Sequence, residues 1–448
     1  MIWLVDYTVY EKEIDLRLKK AKIQYFQIKN YKRYTKIGLT APVKTRTFSN
    51  GLLRLATILY ENDLPVQYIH ASDFISILAH SEALPETIAF SAVCPTVPPC
   101  AELCDEIHRI SPKTKVFLGG AHVNVAYDLT NRKYKTFDKL IRGYEFDAAE
   151  QIAEKPCSKV PDKYLNYNLL PHPVSEYAIN TFTAMGCPFS CAYCVDGCAP
   201  HFESSIDGQL SELRERIPQR TLVHFFDCVL GYSQERLLCV CDALSNLQHG
   251  MLLSCDMRAE FLNEKTIQSL IKAGFVEIRL GIESADEIQL AQNNRFLKWD
   301  DLFEKIKLVR ETSSLYITLY AATGLPGITV QGQEKTISTF DYLLTEQYVD
   351  EIKNCMYVPY PMDGLDYASR GIYIMTNQWE QFDRQSFPVY RTNQLSQDDL
   401  WELYLQTTEA ISKSWLKSCG ASSVKDLIFP SGYYSEYIVD RYDCSDEG

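Results

Sequence analysis

The chain has 448 residues, 46% of them hydrophobic, with 45 Lys and Arg against 58 Asp and Glu for a net charge of −13. That length points to two or three domains, and the acidic balance argues against broad nucleic-acid contact, which needs many basic side chains to displace phosphate counterions. No apolar stretch approaches transmembrane length, and the opening MIWLVDYTVY runs straight into Glu11, Lys12 and Glu13 without a cleavage pattern, so a soluble cytoplasmic protein is expected, with no membrane partner.

A short basic run at 29–33 (KNYKR) reads as a solvated face. Residues 50–60 are helix-like, with Leu52, Leu53, Leu55, Ala56 and Leu59 at helical spacing. Residues 66–69 and 87–93 read as strands and 100–110 as an amphipathic helix. Further strands at 115–118 and 139–141 run into glycines. This alternation predicts a Rossmann-like parallel sheet over 1–150, with ligand loops after Ala92, Leu118 and Arg142. Residues 151–178 carry Pro156, Pro161, Pro171 and Pro173 with little periodicity and read as a linker. Over 179–375, strand-like runs at 181–184, 222–227, 252–257, 276–282, 316–323 and 351–357 alternate with helix-like runs that include 234–247, 263–273 and 333–344. The expected α/β fold therefore continues as a partial (βα)6 TIM-type barrel, with working residues at the strand ends. Residues 376–448 form a mixed segment with a helix at 397–414, and Trp379, Trp401 and Trp415 are expected in the core.

Fifteen cysteines in a chain without a secretory pattern point to reduced thiols, some of them bound to metal. The densest chemistry is MGCPFSCAYC at 185–194, where Cys187, Cys191 and Cys194 are spaced C-x3-C-x2-C. Three thiolates on one loop suit a [4Fe–4S] cluster and leave one iron open to a small molecule. A zinc site completed by Cys198 is the competing reading. Cys94, Cys100 and Cys104 read as buried thiols, so one cluster is expected.

With Tyr193 as the aromatic residue before its third cysteine, the triplet resembles the signature of the radical S-adenosylmethionine (SAM) superfamily. The resemblance implies that the open iron chelates the amino and carboxylate groups of SAM. One electron, from a flavodoxin- or ferredoxin-type donor, then releases a 5′-deoxyadenosyl radical that abstracts hydrogen from substrate. It also implies SAM contacts at Asp227 (in HFFD), at Arg258 for the carboxylate, at Glu283 and Ser284 (in RLGIES), and at Pro326 (in GLPG) beside the adenine.

Residues 50–150 resemble the cobalamin-binding domain that precedes the barrel in one branch of that superfamily. The matching pieces are FSA at 90–92, FLGGAH at 117–122 and LIRGYE at 140–145, which imply cofactor contacts at Ser91, Gly119, Gly120, Gly143 and Glu145. That branch implies methyl transfer to an unactivated carbon of a small molecule or peptide, with SAM as both radical source and methyl donor. One departure stands out. No Asp-x-His occurs, the motif whose imidazole ligates cobalt in many cobalamin proteins, and His70 and His122 read as polar residues at strand ends. Without cobalamin the chain would be a radical dehydratase, epimerase or rearrangement enzyme with the N-terminal domain as scaffold. A non-catalytic metal-binding scaffold is the remaining alternative. No catalytic acid or base stands out among the 29 tyrosines.

Overall fold

The computed structural model describes residues 1–8, 15–18, 21, 36–37, 46–81, 83–161, 164–198, 201–203, 213–215, 217, 219–247 and 249–421. The basic run at 29–33, the side chain of Cys198, and residues 422–448 lie outside the described set.

The N-terminal sheet consists of β1 (Ile2–Tyr7), β2 (Val66–His70), β3 (Thr87–Ala92), β4 (Lys115–Gly119) and β5 (Lys139–Leu140), all parallel, in the order β2-β1-β3-β4-β5. This is a doubly wound order whose switch point lies between β1 and β3. β1 is a strand that the sequence pattern did not announce. Its five buried residues at 2–6 pair with β2 on one side and β3 on the other. Helices α1 (Asn50–Glu61), α2 (Ala71–His80), α3 (Val97–Ile110) and α4 (Glu145–Ala153) cover the sheet. Ser49 caps α1 by accepting from the Leu52 amide, and the helix buries Leu52, Leu53, Ala56 and Leu59, four of the five residues that set its periodicity.

The second sheet holds six parallel strands in chain order: β6 (Ile179–Thr181), β9 (Leu222–Phe225), β10 (Leu252–Met257), β11 (Phe275–Glu283), β12 (Tyr316–Thr323) and β13 (Glu351–Met356). Alternation decides what faces where. Val223, Phe225, Leu253, Cys255, Ile278, Leu280, Ile317, Leu319 and Ile352 join the hydrophobic core under the helices. The intervening His224, Ser254, Glu277, Thr318 and Glu351 are buried and polar. The helices are α5 (Gln234–Leu247), α6 (Glu264–Lys272), α7 (Glu287–Gln292), α8 (Trp299–Thr312) and α9 (Val330–Thr345). The first barrel strand covers 179–181 rather than 181–184, because the Thr183 and Ala184 amides donate to the Asp227 carboxylate instead of a ladder. Ala184–Met185 (β7) then pairs antiparallel with Phe202–Glu203 (β8), closing the base of the cysteine loop.

Residues 151–178 pack as a strap. Tyr164, Leu165, Tyr167, Leu170 and Tyr177 enter the main core, and the Asn166 amide donates to Thr57 Oγ1. The N-terminal segment also reaches the barrel. Leu18 packs with Met356, Trp401, Tyr404 and Leu405, and Lys36 Nζ lies 2.6 Å from Asp350. The final helix α10 (Gln397–Ser418) extends four residues past its expected end and packs on α9 and β13. Trp379, Trp401 and Trp415 are all buried. One core joins Val5, Phe90 and Leu118 of the first sheet to Trp379, Phe382, Tyr390 and Leu400 of the C-terminal segment. Burial of side chains of that size contributes roughly 1.5–3 kcal/mol each, so this packing fastens the C-terminal segment to the N-terminal sheet. No helix among the described residues is long and apolar enough to cross a membrane.

Candidate active site

Cys187, Cys191 and Cys194 lie on the loop between β7 and β8, each partly open. The loop is pinned from three directions. The Ala192 amide donates to Asn293 O (3.0 Å), Asn294 Nδ2 donates to Ser190 O (3.3 Å), and Arg370 donates to Ala192 O (2.6 Å). Burial raises the Cys187 thiol and pushes Cys194 up to about 12, helped by Asp196. Thiolate ligation to a metal removes that penalty, because a bound metal stabilises the deprotonated form. Among the described residues no three His, Cys, Asp or Glu side chains gather where they could hold one ion.

Asp227, expected at the SAM amino group, uses both carboxylate oxygens elsewhere. It accepts from Thr183 N (3.0 Å to each oxygen), Thr183 Oγ1 (2.7 Å) and Ala184 N (2.8 Å). Burial nonetheless raises it to about 6. Arg258, expected at the SAM carboxylate, lies 4.0 Å above the Phe189 ring and pairs with Glu260 through Nε (3.2 Å) and NH2 (2.5 Å). Arg295 pairs with the same Glu260. Burial is the largest single influence on Glu260 and raises it, yet the two arginines together hold it down to about 2. Phe189 and Arg258, with Pro188, Ser190, Asn294 and Phe296, line a hollow of about 420 Å3 on the outer side of the loop.

Glu283 ends β11 at φ 62, and Tyr193 hydrogen-bonds its carboxylate. Burial raises Glu283 to about 7, against the pull of Arg295 and Arg384. Those two expected residues therefore meet beside the cysteines. Ser284 does not join them. It is buried, with Oγ 3.1 Å from Thr336 Oγ1 and accepting from the Asp286 amide, and it shapes the turn into α7. Pro326 is also buried, and its carbonyl accepts from Asn293 Nδ2 (2.8 Å). Asn293 thus ties the GLPG turn to the cysteine loop.

Within the barrel, His224 Nδ1 lies 2.9 Å from Ser254 Oγ, and Arg279 bridges Glu277, His224 and Tyr320. Asp256 Oδ1 is buried without a hydrogen-bond partner among the described residues. Above this floor the Phe226 ring is 64% exposed although it sits at the end of a barrel strand. Cys228, Asp196 and Arg384 are likewise exposed, and Asp196 lies within electrostatic reach of both of the others. Burial and Asp196 raise the Cys228 thiol.

The N-terminal domain forms the facing wall. Tyr144 lies within electrostatic reach of Asp196 and Cys228 and hydrogen-bonds Asn124, whose Oδ1 also accepts from the Gly143 amide (3.0 Å). The carboxyl ends of β4 and β5 therefore look toward the cysteine loop. Ser91 and Gly119 stand opposite each other at the ends of β3 and β4. At Gly120 (φ 100) a Cβ would lie 2.6 Å from both Ala92 N and O, so glycine there lets two strand-end loops meet. Gly143 (φ 122) similarly leaves room for the Asp147 carboxylate. Glu145 is partly buried and accepts from Tyr164 OH (2.5 Å) and Arg54 (3.4 Å). His70 meets Tyr177 OH at 2.8 Å, whereas His122 Nε2 is buried without a hydrogen-bond partner among the described residues, its ring 4.6 Å from Trp379. Burial lowers His122 to about 4, leaving it neutral.

Sequence reasoning missed Tyr144, Asp196, Cys228 and Arg384. Asp196 adjoins the cysteine motif, and Tyr144 lies within LIRGYE, where its neighbours Gly143 and Glu145 were singled out instead. Cys228 follows HFFD directly, while Arg384 has no local signal.

Residues 37–153 match the family model described as the B12 binding domain. No curated protein sequence matches the chain. Among solved structures, the radical SAM methyltransferase TsrM from Kitasatospora setae, with cobalamin and a [4Fe–4S] cluster bound, is similar with a TM-score of 0.62 and 13% identity, over 90% of this chain and 88% of that one. TsrM with tryptophan substrate and a SAM analogue gives 0.60 and 14%, over 86% and 82%. The cobalamin-dependent SAM radical enzyme OxsB, with aqua-cobalamin and SAM, gives 0.53 and 14%, over 76% and 51%. The chain therefore carries a B12-binding domain and has the fold of cobalamin-dependent radical SAM enzymes.

Proposed function

We propose that this protein is a radical SAM enzyme that uses cobalamin to methylate an unactivated carbon of a small molecule or peptide. The observation that carries the reading is the C-x3-C-x2-C loop at the carboxyl end of a six-strand barrel, with Tyr144 of the β5–α4 loop of a B12-binding domain within electrostatic reach of Asp196 beside it. TsrM, with the same fold, is a methyltransferase holding tryptophan in one structure.

Cys187, Cys191 and Cys194 would hold the cluster, whose fourth iron and electron supply the reductive cleavage of SAM. Tyr193 and Glu283 form the SAM-side wall. Asp227 and Asn293 fix the loop so that its thiols keep their spacing without reorganisation. Tyr144 and the ends of β4 and β5 form the cobalamin-side wall. The electron donor would be of flavodoxin or ferredoxin type. The missing Asp-x-His favours a second reading, in which the N-terminal domain is a scaffold and the radical chemistry is a dehydration, epimerisation or rearrangement.

One experiment separates the two. The anaerobically reconstituted protein is given SAM and reductant with and without hydroxocobalamin, and S-adenosylhomocysteine is quantified. The methyltransferase reading expects its formation to depend on cobalamin. Equal amounts with and without the corrinoid would exclude that reading.

A further inference from the structure

The hollow of about 420 Å3 on the outer side of the cysteine loop has no part in the chemistry assigned so far. Ser190, which lines it, is the sequence neighbour of Cys191, so whatever sits there stands one residue from a cluster ligand. Phe296 forms another part of the wall and is 76% exposed, a large aromatic ring left outside the core. Pro188, also in the wall, is exposed as well. Apolar side chains gathered at the surface within a polar rim mark a place where another molecule binds.

The charge around this hollow has the opposite sign to the chain as a whole. Arg258 lines it above the Phe189 ring, and Arg295 follows Asn294 of its wall. Arg370, exposed, reaches the same loop and donates to Ala192 O. Among the described residues Glu260 is the one carboxylate paired with any of the three. A chain of net charge −13 thus carries a cationic rim at this loop. An acidic protein is repelled by most of such a surface and steered to the exception.

We propose that this hollow is the docking site of a small acidic one-electron carrier protein, with Phe296 as its apolar anchor and the arginines as its rim. This rests on the radical SAM reading above, which requires an electron from outside the chain. The carrier gives up one electron and the cluster gains it, and no bond or proton changes place. Electron transfer between proteins falls steeply with distance, which favours a surface one residue from a cluster ligand. Redox encounters are small and transient, and one aromatic anchor within a charged rim suits them.

The test uses the cluster-loaded protein, with a flavodoxin and a ferredoxin as probes. Equilibrium binding and the rate of cluster reduction, followed by freeze-quench electron paramagnetic resonance, are measured without SAM. Wild type should bind at least one of the two, more weakly as salt rises. Phe296→Asp should weaken that binding about tenfold and slow reduction by the carrier. Reduction by dithionite, a small molecule that needs no docking, should stay unchanged. If neither carrier binds wild type, or if Phe296→Asp binds as wild type does, the assignment is wrong. It is equally wrong if sedimentation shows that the chain self-associates and that Phe296→Asp abolishes this, because the hollow is then an interface between copies. Should Phe296→Asp fail to hold its cluster, Phe296→Ser takes its place under the same criteria. Neither readout needs SAM, so a protein that docks a carrier here yet never cleaves SAM would overturn the functional reading and leave this one standing.

Discussion

Asp227, just beyond the end of β9, accepts hydrogen bonds from the amide and hydroxyl of Thr183 at the base of the cysteine loop. A carboxylate at a barrel strand end thereby sets where the cluster ligands begin. Asp227→Ala would leave the Thr183 and Ala184 amides unpaired in a buried site, a cost of about 2–4 kcal/mol. Iron bound per chain after anaerobic reconstitution should fall by at least half. Asp227→Asn, which keeps the shape and some acceptor capacity, should fall between. Normal iron content in the alanine variant would show that the loop is held in place by other contacts.

Glu145 ties the N-terminal domain to the strap. Its carboxylate takes Tyr164 OH and the Arg54 guanidinium, and Arg54 also donates to Tyr164 O (3.0 Å). Glu145→Ala strands a buried cation, and urea unfolding should show a loss of about 2–4 kcal/mol. The Arg54→Met/Glu145→Ala double variant should lose less than the sum of the two single changes.

The pH dependence of stability has a definite sign at Glu283. Its carboxyl is raised from 4.5 to about 7, chiefly by burial. Below 4.5 it is protonated in both states. As pH rises toward 7, the native state keeps a proton that the unfolded chain has released, so stability falls through that window and then levels off. The total is about 1–3 kcal/mol. Denaturation of the cofactor-free protein between pH 4.5 and 8 should give a shallower slope for Glu283→Gln than for wild type. Identical slopes would place the titrating group elsewhere.

Trp379 stands T-shaped on His122 (4.6 Å), beside Tyr134 (5.5 Å) and under Lys133 (4.6 Å to the ring). Its removal opens a large cavity between the B12-binding domain and the C-terminal segment. Trp379→Ala should cost about 3–5 kcal/mol. Limited proteolysis should also quicken between the two sheets, a change that a loss of core packing within one domain would not produce.

Much of this was legible in the sequence because it is local. C-x3-C-x2-C places three ligands on one loop, and polar–apolar alternation located the last five barrel strands to within a residue or two at each end. β1 was not legible: its residues 2–6 are all buried, so it lacks the polar–apolar alternation that marks a strand with one face in water. The protein partners of Asp227, Arg258, Ser284 and Glu145 were not legible for a different reason. Whether a charged or polar group faces a ligand or a neighbour depends on Thr183, Glu260, Thr336 and Arg54, partners 44, 2, 52 and 91 residues away. Arg384 is the extreme case. Its position is set by a hydrogen bond to the end of β13, which no motif around residue 384 records.

The most direct test quantifies 5′-deoxyadenosine formed from SAM and dithionite by the anaerobically reconstituted protein. Wild type should form it, and a Cys187→Ala/Cys191→Ala/Cys194→Ala variant should form none. A wild-type protein that binds its cluster but yields no 5′-deoxyadenosine, or a triple variant that yields as much, would mean that these cysteines do not serve radical SAM chemistry.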